Sequence, residues 1–397
     1  MLKIAIVTPF GAEPRVDNYA EFILALGLQN LGYSVRFYTY KLKHHPSCQK
    51  NLTYKNLTVI RCRQLLGISP GLFFSLLRFH PQIIIYFHPR SFLSFTAYLA
   101  ARCSGAKTIA EIVGILHDPF IVDDTDNPIP NIKPKIRLLT RWTNLLNIFF
   151  SRKRREQWIN LIFHLPIAKA DAIVAINKDE QNYIKIFYGR DSTLIYWAAP
   201  PVQIQPQIVQ LTNNPIPDFH LLFIGKKRKR KGWDTMLEAL AILKSRGLKK
   251  KLVFVCPDLD ITMAEQLANR LGISDQIFFR SQISNEDKIL IFQKAQYVVV
   301  PSRYEGFGLP VFEAFQAGKP VIATDIPVFK EFLEHEKNAL LFPPGDAKSL
   351  AENIIALDRN PELIKHLVDE GYKTAAQFTS EMMVDRFVRL FNLLLKK

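Results

Sequence analysis

The sequence predicts an α/β protein built from two doubly wound domains, each with a parallel sheet covered by helices. The first observation is a strand, a helix and a strand at Leu2–Val7, Asn18–Leu31 and Ser34–Tyr40. The second is the return of this alternation at His220, after a proline-rich stretch. The third is the length of 397 residues, which suits two domains of ordinary size. A doubly wound sheet binds its ligand beyond the carboxyl ends of its strands.

The composition is that of a folded, strongly basic protein. Hydrophobic residues make up 48% of the chain, which excludes a disordered protein. The excess of 52 basic over 36 acidic residues gives a net charge of +16. This charge predicts a polyanionic partner, which could be nucleotide phosphates, an anionic membrane surface or nucleic acid.

The amino terminus and the cysteines indicate a cytoplasmic location. The opening MLKIAIVTPFG has a very short apolar run, which predicts a first strand rather than a signal peptide. No apolar run reaches the ~18 to 20 residues that span a bilayer. The four cysteines have no ligand or disulfide-framework spacing, which favours a reducing compartment. They are Cys48, Cys62, Cys103 and Cys256.

Short β-branched runs continue the first domain, which we place at residues 1–200. The predicted strands are Gln82–Phe87, Lys107–Val113, Ala172–Ile176 and Thr193–Trp197. The stretch from Pro200 to Pro217 has five prolines and no charge, which is typical of an interdomain linker.

The second domain, placed at residues 201–379, repeats the pattern. Its first strand ends at Gly225, and Trp233–Ser245 is a helix with apolar residues on one face. Further strands are predicted at Lys251–Cys256, Gln276–Phe279, Tyr297–Val300, Pro320–Ala323 and Ala339–Phe342.

The most informative stretch follows the strand Tyr297–Val300. A loop with two glycines, Gly306 and Gly308, leads to a helix that we expect from Pro310 to Ala317. Amides at the start of such a helix favour a phosphate or a polyhydroxylated ligand. Two carboxylates, Glu305 and Glu313, bracket the loop and can face one pocket. In isolation, Glu313 could merely complement the helix dipole and Glu305 could be a solvated loop charge.

Taken together, this stretch resembles the signature of family 4 retaining glycosyltransferases, which have the GT-B fold. The matching residues are Pro301, Ser302, Glu305, Gly306, Phe307, Gly308, Leu309, Pro310, Glu313 and Ala314. The resemblance implies two facing Rossmann-like domains with a cleft between them. It also implies an amino-terminal acceptor domain, a carboxy-terminal donor domain, and a last helix, residues 380–397, that packs back on the first domain.

The resemblance also implies a site for the donor on the second domain. The basic run Lys226–Lys231 resembles a family loop whose cations bind the donor diphosphate, with Lys226 in the place of an arginine. A solvated loop or a general nucleic-acid patch is the alternative for this run. Ile283 lies where the family's main chain contacts the nucleotide base. The predicted donor-binding residues are Lys226, Lys231, Ile283, Glu305, Gly306, Phe307, Gly308, Leu309 and Glu313.

Glu305, Lys231 and His117 are the predicted catalytic residues. The family has an active-site histidine on a loop of the first domain, and His117 resembles it after a small shift in position. His88, which follows another strand, is the second candidate. Two short Asp-x-Asp motifs, Asp124–Asp126 and Asp258–Asp260, could hold a metal, but such matches are common by chance, and no metal site is predicted.

The resemblance therefore implies a retaining, metal-independent hexosyltransferase. Its co-substrate would be a nucleotide-diphosphate sugar, with no cofactor and no nucleic-acid partner, and its acceptor a hydroxyl of a glycan or a lipid-linked molecule. Other GT-B enzymes (an epimerase or a phosphorylase), a nucleic-acid-binding protein and a catalytically silent interaction protein remain alternatives. Residues 133–158 read as a basic amphipathic helix, which predicts peripheral binding to the inner face of an anionic membrane. The alternative is that this helix packs on the first sheet.

Overall fold

The computed structural model describes residues 1–9, 19–40, 51–63, 68–114, 162–199, 218–226, 228–256, 261–281 and 283–396. They fall into two compact units. The first unit contains the described residues of Met1–Asp123 and Asn131–Pro200 together with Thr379–Lys397. The second contains those of Pro201–Phe378.

The described part of the first unit contains one sheet with the strand order β3-β4-β2-β1-β5-β6-β7-β8. Every pairing is parallel except that of β3 with β4. Its strands are β1 (Lys3–Val7), β2 (Ser34–Tyr40), β3 (Leu52–Tyr54), β4 (Leu57–Cys62), β5 (Ile83–Phe87), β6 (Lys107–Ile112), β7 (Ala172–Ala175) and β8 (Thr193–Leu194).

Helices connect these strands, and the last helix of the chain joins them. They are α1 (Ala20–Asn30), α2 (Pro70–Phe79), α3 (Phe92–Ser104), α4 (residues 162–168), α5 (Lys178–Tyr188) and α12 (Ser380–Leu395). The core of the unit includes Phe387 and Phe391 of α12 beside Leu24 and Leu28 of α1. A Cβ on Gly27 would come within 2.4 Å of Val384 Cγ2, so α1 and α12 are in close contact.

The sheet of the second unit is wholly parallel in its described strands, with the order β11-β10-β9-β12-β13-β14. These are β9 (Leu221–Ile224), β10 (Leu252–Val255), β11 (Ile277–Arg280), β12 (Tyr297–Val300), β13 (Val321–Thr324) and β14 (Leu340–Phe342). The helices are α6 (Trp233–Ser245), α7 (Thr262–Arg270), α8 (Asn285–Lys294), α9 (Leu309–Gln316), α10 (Ala347–Arg359) and α11 (Pro361–Ala375).

The prediction of doubly wound parallel sheets is confirmed, and two details differ from expectation. The β3–β4 hairpin was not expected, because its two-residue turn is Lys55–Asn56 and lacks the usual glycine. Both turn residues have positive φ, 46° and 66°, as a type I′ turn requires. Helix α9 begins at Leu309, one residue before Pro310, which takes the second helical position.

Several sequence predictions fall on residues outside the described ranges. These are the linker Pro200–Pro217, the basic stretch 133–158, His117, Asp124–Asp126 and Asp258–Asp260. Within the described ranges, no helix combines the length and the apolarity needed to cross a bilayer.

Candidate functional site

The site lies at the carboxyl ends of β9 and β12, which are neighbours in the second sheet. From β9 the chain first moves outward to β10 and β11, and it then returns to β12 on the other side. This reversal is the topological switch point, where doubly wound sheets bind their ligands.

The loops after β9 and β12 are fixed against each other by main-chain contacts. The amide of Arg303 donates to the carbonyl of Arg230 at 2.7 Å. Gly232 has φ +67°, and a Cβ there would lie 1.8 Å from the carbonyl oxygen of Pro301. Only glycine fits this position, so Gly232 allows the two loops to touch.

An arginine fork strengthens the same junction. Arg303 donates to both carboxylate oxygens of Asp234, at 2.7 and 3.0 Å, and to the carbonyl of Lys229 at 2.7 Å. Two parallel hydrogen bonds between an arginine and a carboxylate fix orientation as well as distance. The basic loop is therefore held in place before any ligand binds.

Glu305 is the centre of the polar cluster at this junction. Its Oε1 accepts from Lys231 Nζ at 2.6 Å and from Ser302 Oγ at 2.7 Å. Arg230 Nη1 lies 3.8 Å from Oε2. The Glu305 side chain is 6% exposed, and those of Lys231 and Arg230 are 15% and 16% exposed. One buried carboxylate thus holds two cations from the neighbouring loop.

The electrostatics of the cluster keep Glu305 ionised. Burial alone would raise the pKa of the Glu305 carboxyl. The charges of Lys231 and Arg230, with the hydrogen bonds from Lys231 and Ser302, outweigh burial and bring this pKa below its ordinary value. Two cations face one carboxylate, so the cluster has a positive charge in excess and suits an anionic ligand.

Glu313 forms a second buried pair one helix away. It lies in α9 with its side chain 4% exposed, and Lys288 of α8 donates to its Oε1. Glu313 therefore does more than complement the dipole of its own helix, because it joins α8 to α9. Both predicted carboxylates are buried and each is bound to a lysine from another element.

Between these carboxylates, the loop presents its main chain. Gly308 has φ +90°, and a Cβ there would come within 2.4 Å of Phe329 Cε1. As the N-cap residue of α9, Gly308 has no side chain to cap the first-turn amides, which leaves an anion as a suitable partner. The ring of Phe307 is buried and stacks on Phe312 at 4.6 Å, so only the main chain of Phe307 could contact a ligand.

The remaining predicted donor residues lie at the ends of neighbouring elements. Lys226 is exposed two residues after β9, and its charge acts on Lys231. Ile283 is half-buried and precedes Ser284, the N-cap residue of α8, the helix that carries Lys288. Leu309 is the first residue of α9 and is half-buried.

In the first unit, His88 occupies the equivalent place. It follows β5, which pairs with β1 at the point where the strand order reverses. Its φ is +50°, and its ring packs edge-on against Trp197 at 6.4 Å. Burial, assisted by the charge of Arg90, lowers the pKa of His88 to about 3, so its imidazole is neutral at physiological pH.

Buried carboxyls also lie near this end of the first sheet. Glu111 of β6 accepts from Trp197 Nε1 at 2.5 Å, while Glu180 accepts from the amide of Gly114. Burial raises the pKa of Glu111 well above its ordinary value, and the nearby Glu21 and Glu180 add to this effect. No group of three His, Cys, Asp or Glu among the described residues is arranged to hold a metal ion.

Sequence reasoning missed three members of the second-unit site. Arg230 lies in the basic run and Ser302 in the signature, but neither was assigned a contact with Glu305. No pattern in the sequence pointed to Lys288. It lies on α8 and meets Glu313 of α9 only in the folded protein.

Comparison with known proteins finds a family similarity in the second unit. Residues 207–374 match the family described as Glycosyl transferases group 1. The chain is 36% identical over 114 residues to the O-antigen chain mannosyltransferase RfbU of Salmonella typhimurium, covering 28% of this chain and 32% of the relative. It is 27% identical over 199 residues to the O-antigen chain mannosyltransferase C of Escherichia coli, covering 49% and 52%. The chain thus spans about half or less of the length of these relatives.

Solved structures extend the similarity to the whole chain. The sucrose-phosphate synthase of Thermosynechococcus elongatus has a TM-score of 0.72 at 19% identity and covers 100% of both chains. Anabaena HepE in complex with UDP-glucose has a TM-score of 0.71 at 17% identity, covering 99% of this chain and 100% of HepE. At these identities the shared feature is the fold. The chain therefore has the GT-B fold, and its residues 207–374 are similar to the family described as Glycosyl transferases group 1.

Proposed function

We propose that this protein is a retaining, metal-independent glycosyltransferase. It moves a hexose from a nucleotide-diphosphate sugar to a hydroxyl of a glycan or of a lipid-linked acceptor. The observation that carries the proposal is the buried cluster of Lys231, Arg230 and Glu305 at the switch point of the second sheet. Its second support is the family match over the same region.

The donor diphosphate would lie against Lys226, Lys231 and the amides at the start of α9. Lys231 is already held by Glu305, so less side-chain freedom is lost when the ligand binds. Glu313 would accept hydrogen bonds from the ribose hydroxyls, since a carboxylate has four lone-pair sites and Lys288 occupies one. Glu305 would orient hydroxyls of the donor sugar.

The chemistry would be supported by charge rather than by a covalent intermediate. The acceptor hydroxyl would attack from the face of the leaving phosphate, and that phosphate would take the proton. Negative charge grows on the phosphate as the glycosidic bond breaks. Lys231 and Arg230, fixed in a buried site, would stabilise this charge more than mobile surface cations could. His88, whose imidazole is neutral, and His117 are the two candidates for the family's active-site histidine.

Incubation with a panel of radiolabelled nucleotide-sugars and glycan or polyprenyl-phosphate-linked acceptors tests this function. The expected result is transfer of label to the acceptor. NMR should show the same anomeric configuration in the product as in the donor, and EDTA should not lower the rate of transfer. Interconversion of the nucleotide-sugar without transfer would identify an epimerase instead. Inversion of the anomeric configuration would contradict the retaining mechanism. Loss of activity in EDTA that Mg²⁺ restores would contradict metal independence.

The acceptor proposal includes a membrane. Residues 133–155 contain eight basic residues and no acidic one, followed by Trp158, a composition suited to an anionic interface. Neutralising Arg152–Arg155 should lower binding to anionic vesicles. Unchanged binding would remove this segment from the proposal.

A further inference from the structure

A buried glutamate lies on the apolar face of the first sheet, beside the strand that leads to His88. Glu111 of β6 is in register with Phe87 of β5 and with Val174 of β7. Side chains in register on neighbouring strands share a face, so Glu111 lies on the side where Phe87 and Val174 pack in the core with α12. Glu111 is 1% exposed, and a carboxyl is rarely buried to this degree. It occupies a place that an apolar side chain would fill in an ordinary core.

The partner of this carboxyl is the indole of Trp197, which follows β8. Trp197 Nε1 donates to Glu111 Oε1 at 2.5 Å. The second oxygen, Oε2, is buried and has no hydrogen-bond partner among the described residues. Burial holds the pKa of Glu111 well above its ordinary value, so the carboxyl is neutral at physiological pH and its proton belongs on Oε2. A neutral carboxyl can accept from the indole without bringing a charge into the core.

The titratable groups around Glu111 favour this neutral form. Glu21 of α1 and Glu180 of α5 add to the rise in its pKa. On the side of α12, Arg386 lies over the ring of Tyr196, the residue before Trp197, at 5.7 Å from the ring centroid. Glu111 therefore acts on Trp197 as a hydrogen-bond acceptor and not as a charge.

The indole that Glu111 holds is in turn a neighbour of His88. The rings of Trp197 and His88 meet edge-on with their centroids 6.4 Å apart, an ordinary distance for such a pair. The φ of His88 is +50°, which residues other than glycine adopt only where their surroundings hold them. Arg90 donates to the carbonyls of Val113 and Gly114, at 3.3 and 3.2 Å. The loop after β5 is thus held by Arg90 on one side and by Trp197 on the other.

We propose that Glu111 is a positioning residue, which fixes the place of the His88 imidazole by holding Trp197 against it. Its effect on the reaction rests on the proposed function, in which His88 is one of the two candidates for the active-site histidine. The coupling from Glu111 to His88 belongs to the first unit alone and can be measured without donor or acceptor. If the carboxyl were removed, the indole N–H would be buried without an acceptor, which favours a turn of the Trp197 ring toward water. His88 would then lose an apolar neighbour and gain contact with water.

NMR of the full chain with labelled histidine and tryptophan tests the coupling. In Glu111→Leu, the Trp197 indole proton should shift upfield, and the pKa of His88 should rise from about 3 toward its ordinary value of 6.5. Glu111→Gln keeps a neutral acceptor of the same shape, so both signals should stay near those of the wild type. Tyr86→Phe is the matched control, because Tyr86 is also fully buried but lies on the other face of the sheet. The two signals are identified by their absence in His88→Gln and Trp197→Phe.

Rates of transfer connect this coupling to the reaction. With the donor and acceptor that the wild type uses, Glu111→Leu should lower kcat about 100-fold, the loss that a displacement of about 1 Å can cause. The KM for the donor should stay the same, because the residue touches no part of the donor site. Glu111→Gln should restore most of the lost rate, and Tyr86→Phe should not lower it. A wild type without transfer would contradict the proposed function alone, and the NMR results would still decide the coupling.

Trp197→Phe keeps the test decisive if Glu111→Leu does not fold. This variant removes the N–H at the other end of the same hydrogen bond, so the pKa of His88 should rise here as well. An unchanged His88 pKa in Glu111→Leu, or in Trp197→Phe where the former is unfolded, would overturn the proposal. An equal fall of kcat in Glu111→Gln and Glu111→Leu would also overturn it, because a neutral acceptor would then not suffice. A wild-type kcat beside a raised His88 pKa would overturn the role in the reaction and leave His117 as the candidate.

Discussion

Nζ of Lys231 lies 2.6 Å from Oε1 of Glu305, and the two residues come from loops that follow adjacent strands. The pair is buried, and its lysine ends the basic loop. A ligand phosphate at this position would meet a cation whose position is already fixed. Removing Glu305 would leave Lys231 as a buried charge without its carboxylate, which is costly. Removing Lys231 would leave Glu305 with only the longer ion pair to Arg230, at 3.8 Å.

Replacing Lys231 should weaken donor binding and turnover together. A hydrogen bond to a charged group is worth roughly 1.5 to 3 kcal/mol, so Lys231→Met should raise the donor Kd by about 10- to 150-fold. Lys229→Met is the control, because this side chain is exposed in the same loop. Calorimetry and initial rates measure both effects. Equal losses in the two variants would favour a non-specific basic patch.

Glu313→Ala should weaken nucleotide-sugar binding by a similar factor, because ribose hydroxyls would lose a charged acceptor. Lys288→Met keeps the carboxylate and should weaken donor binding less, while lowering the thermal unfolding midpoint by leaving Glu313 unpaired in the protein interior. Isothermal calorimetry with the folded variants provides the test. A donor Kd unchanged in Glu313→Ala would rule out the ribose role.

Gly232→Ala should destabilise the second unit severely, because the new Cβ would overlap the Pro301 carbonyl at 1.8 Å. Gly247→Ala is the matched control, since Gly247 also has positive φ, +78°, with no atom near the added Cβ. The control should cost about 1 kcal/mol from backbone conformation alone. Denaturant unfolding should show a loss in Gly232→Ala that exceeds the control by at least ~2 kcal/mol. Equal losses would mean that the two loops are not in contact.

The stability of the first unit should fall as pH rises from about 4.5 to 7. Burial raises the pKa of Glu21 from 4.5 to about 7, against a hydrogen bond from Thr8. The unfolded chain loses the Glu21 proton first, so the unfolded state gains stability until the pH passes the folded pKa. Glu21→Gln should remove this pH dependence. Above pH 7 its free energy of unfolding should exceed that of the wild type by about 3 kcal/mol, since each unit of pKa difference is worth 1.36 kcal/mol. If the difference in free energy of unfolding between wild type and Glu21→Gln stays constant from pH 4 to 8, the raised pKa of Glu21 is contradicted.

Sequence patterns predicted both sheets because β-branched runs and glycine stops are local signals. They also located Glu305 and Glu313, since the signature around them is contiguous. The cations that pair with these carboxylates could not be predicted from a contiguous motif. Lys288 and Arg230 meet them through strand order and helix packing, which no spacing in the sequence encodes. The β3–β4 hairpin was missed because Lys55–Asn56 adopts its turn without glycine.

The position of α12 in the core of the first unit constrains synthesis. Phe387 and Phe391 pack beside α1, yet the ribosome makes them only after Pro201–Phe378. At 5–20 residues per second the nascent first unit waits roughly 10 to 40 s for its final helix. During that interval Leu24 and Leu28 lack the apolar contacts of α12, so this side of α1 is not yet buried. A stop codon shortly before residue 380 would therefore damage the first unit, although the lost residues lie at the far end of the chain.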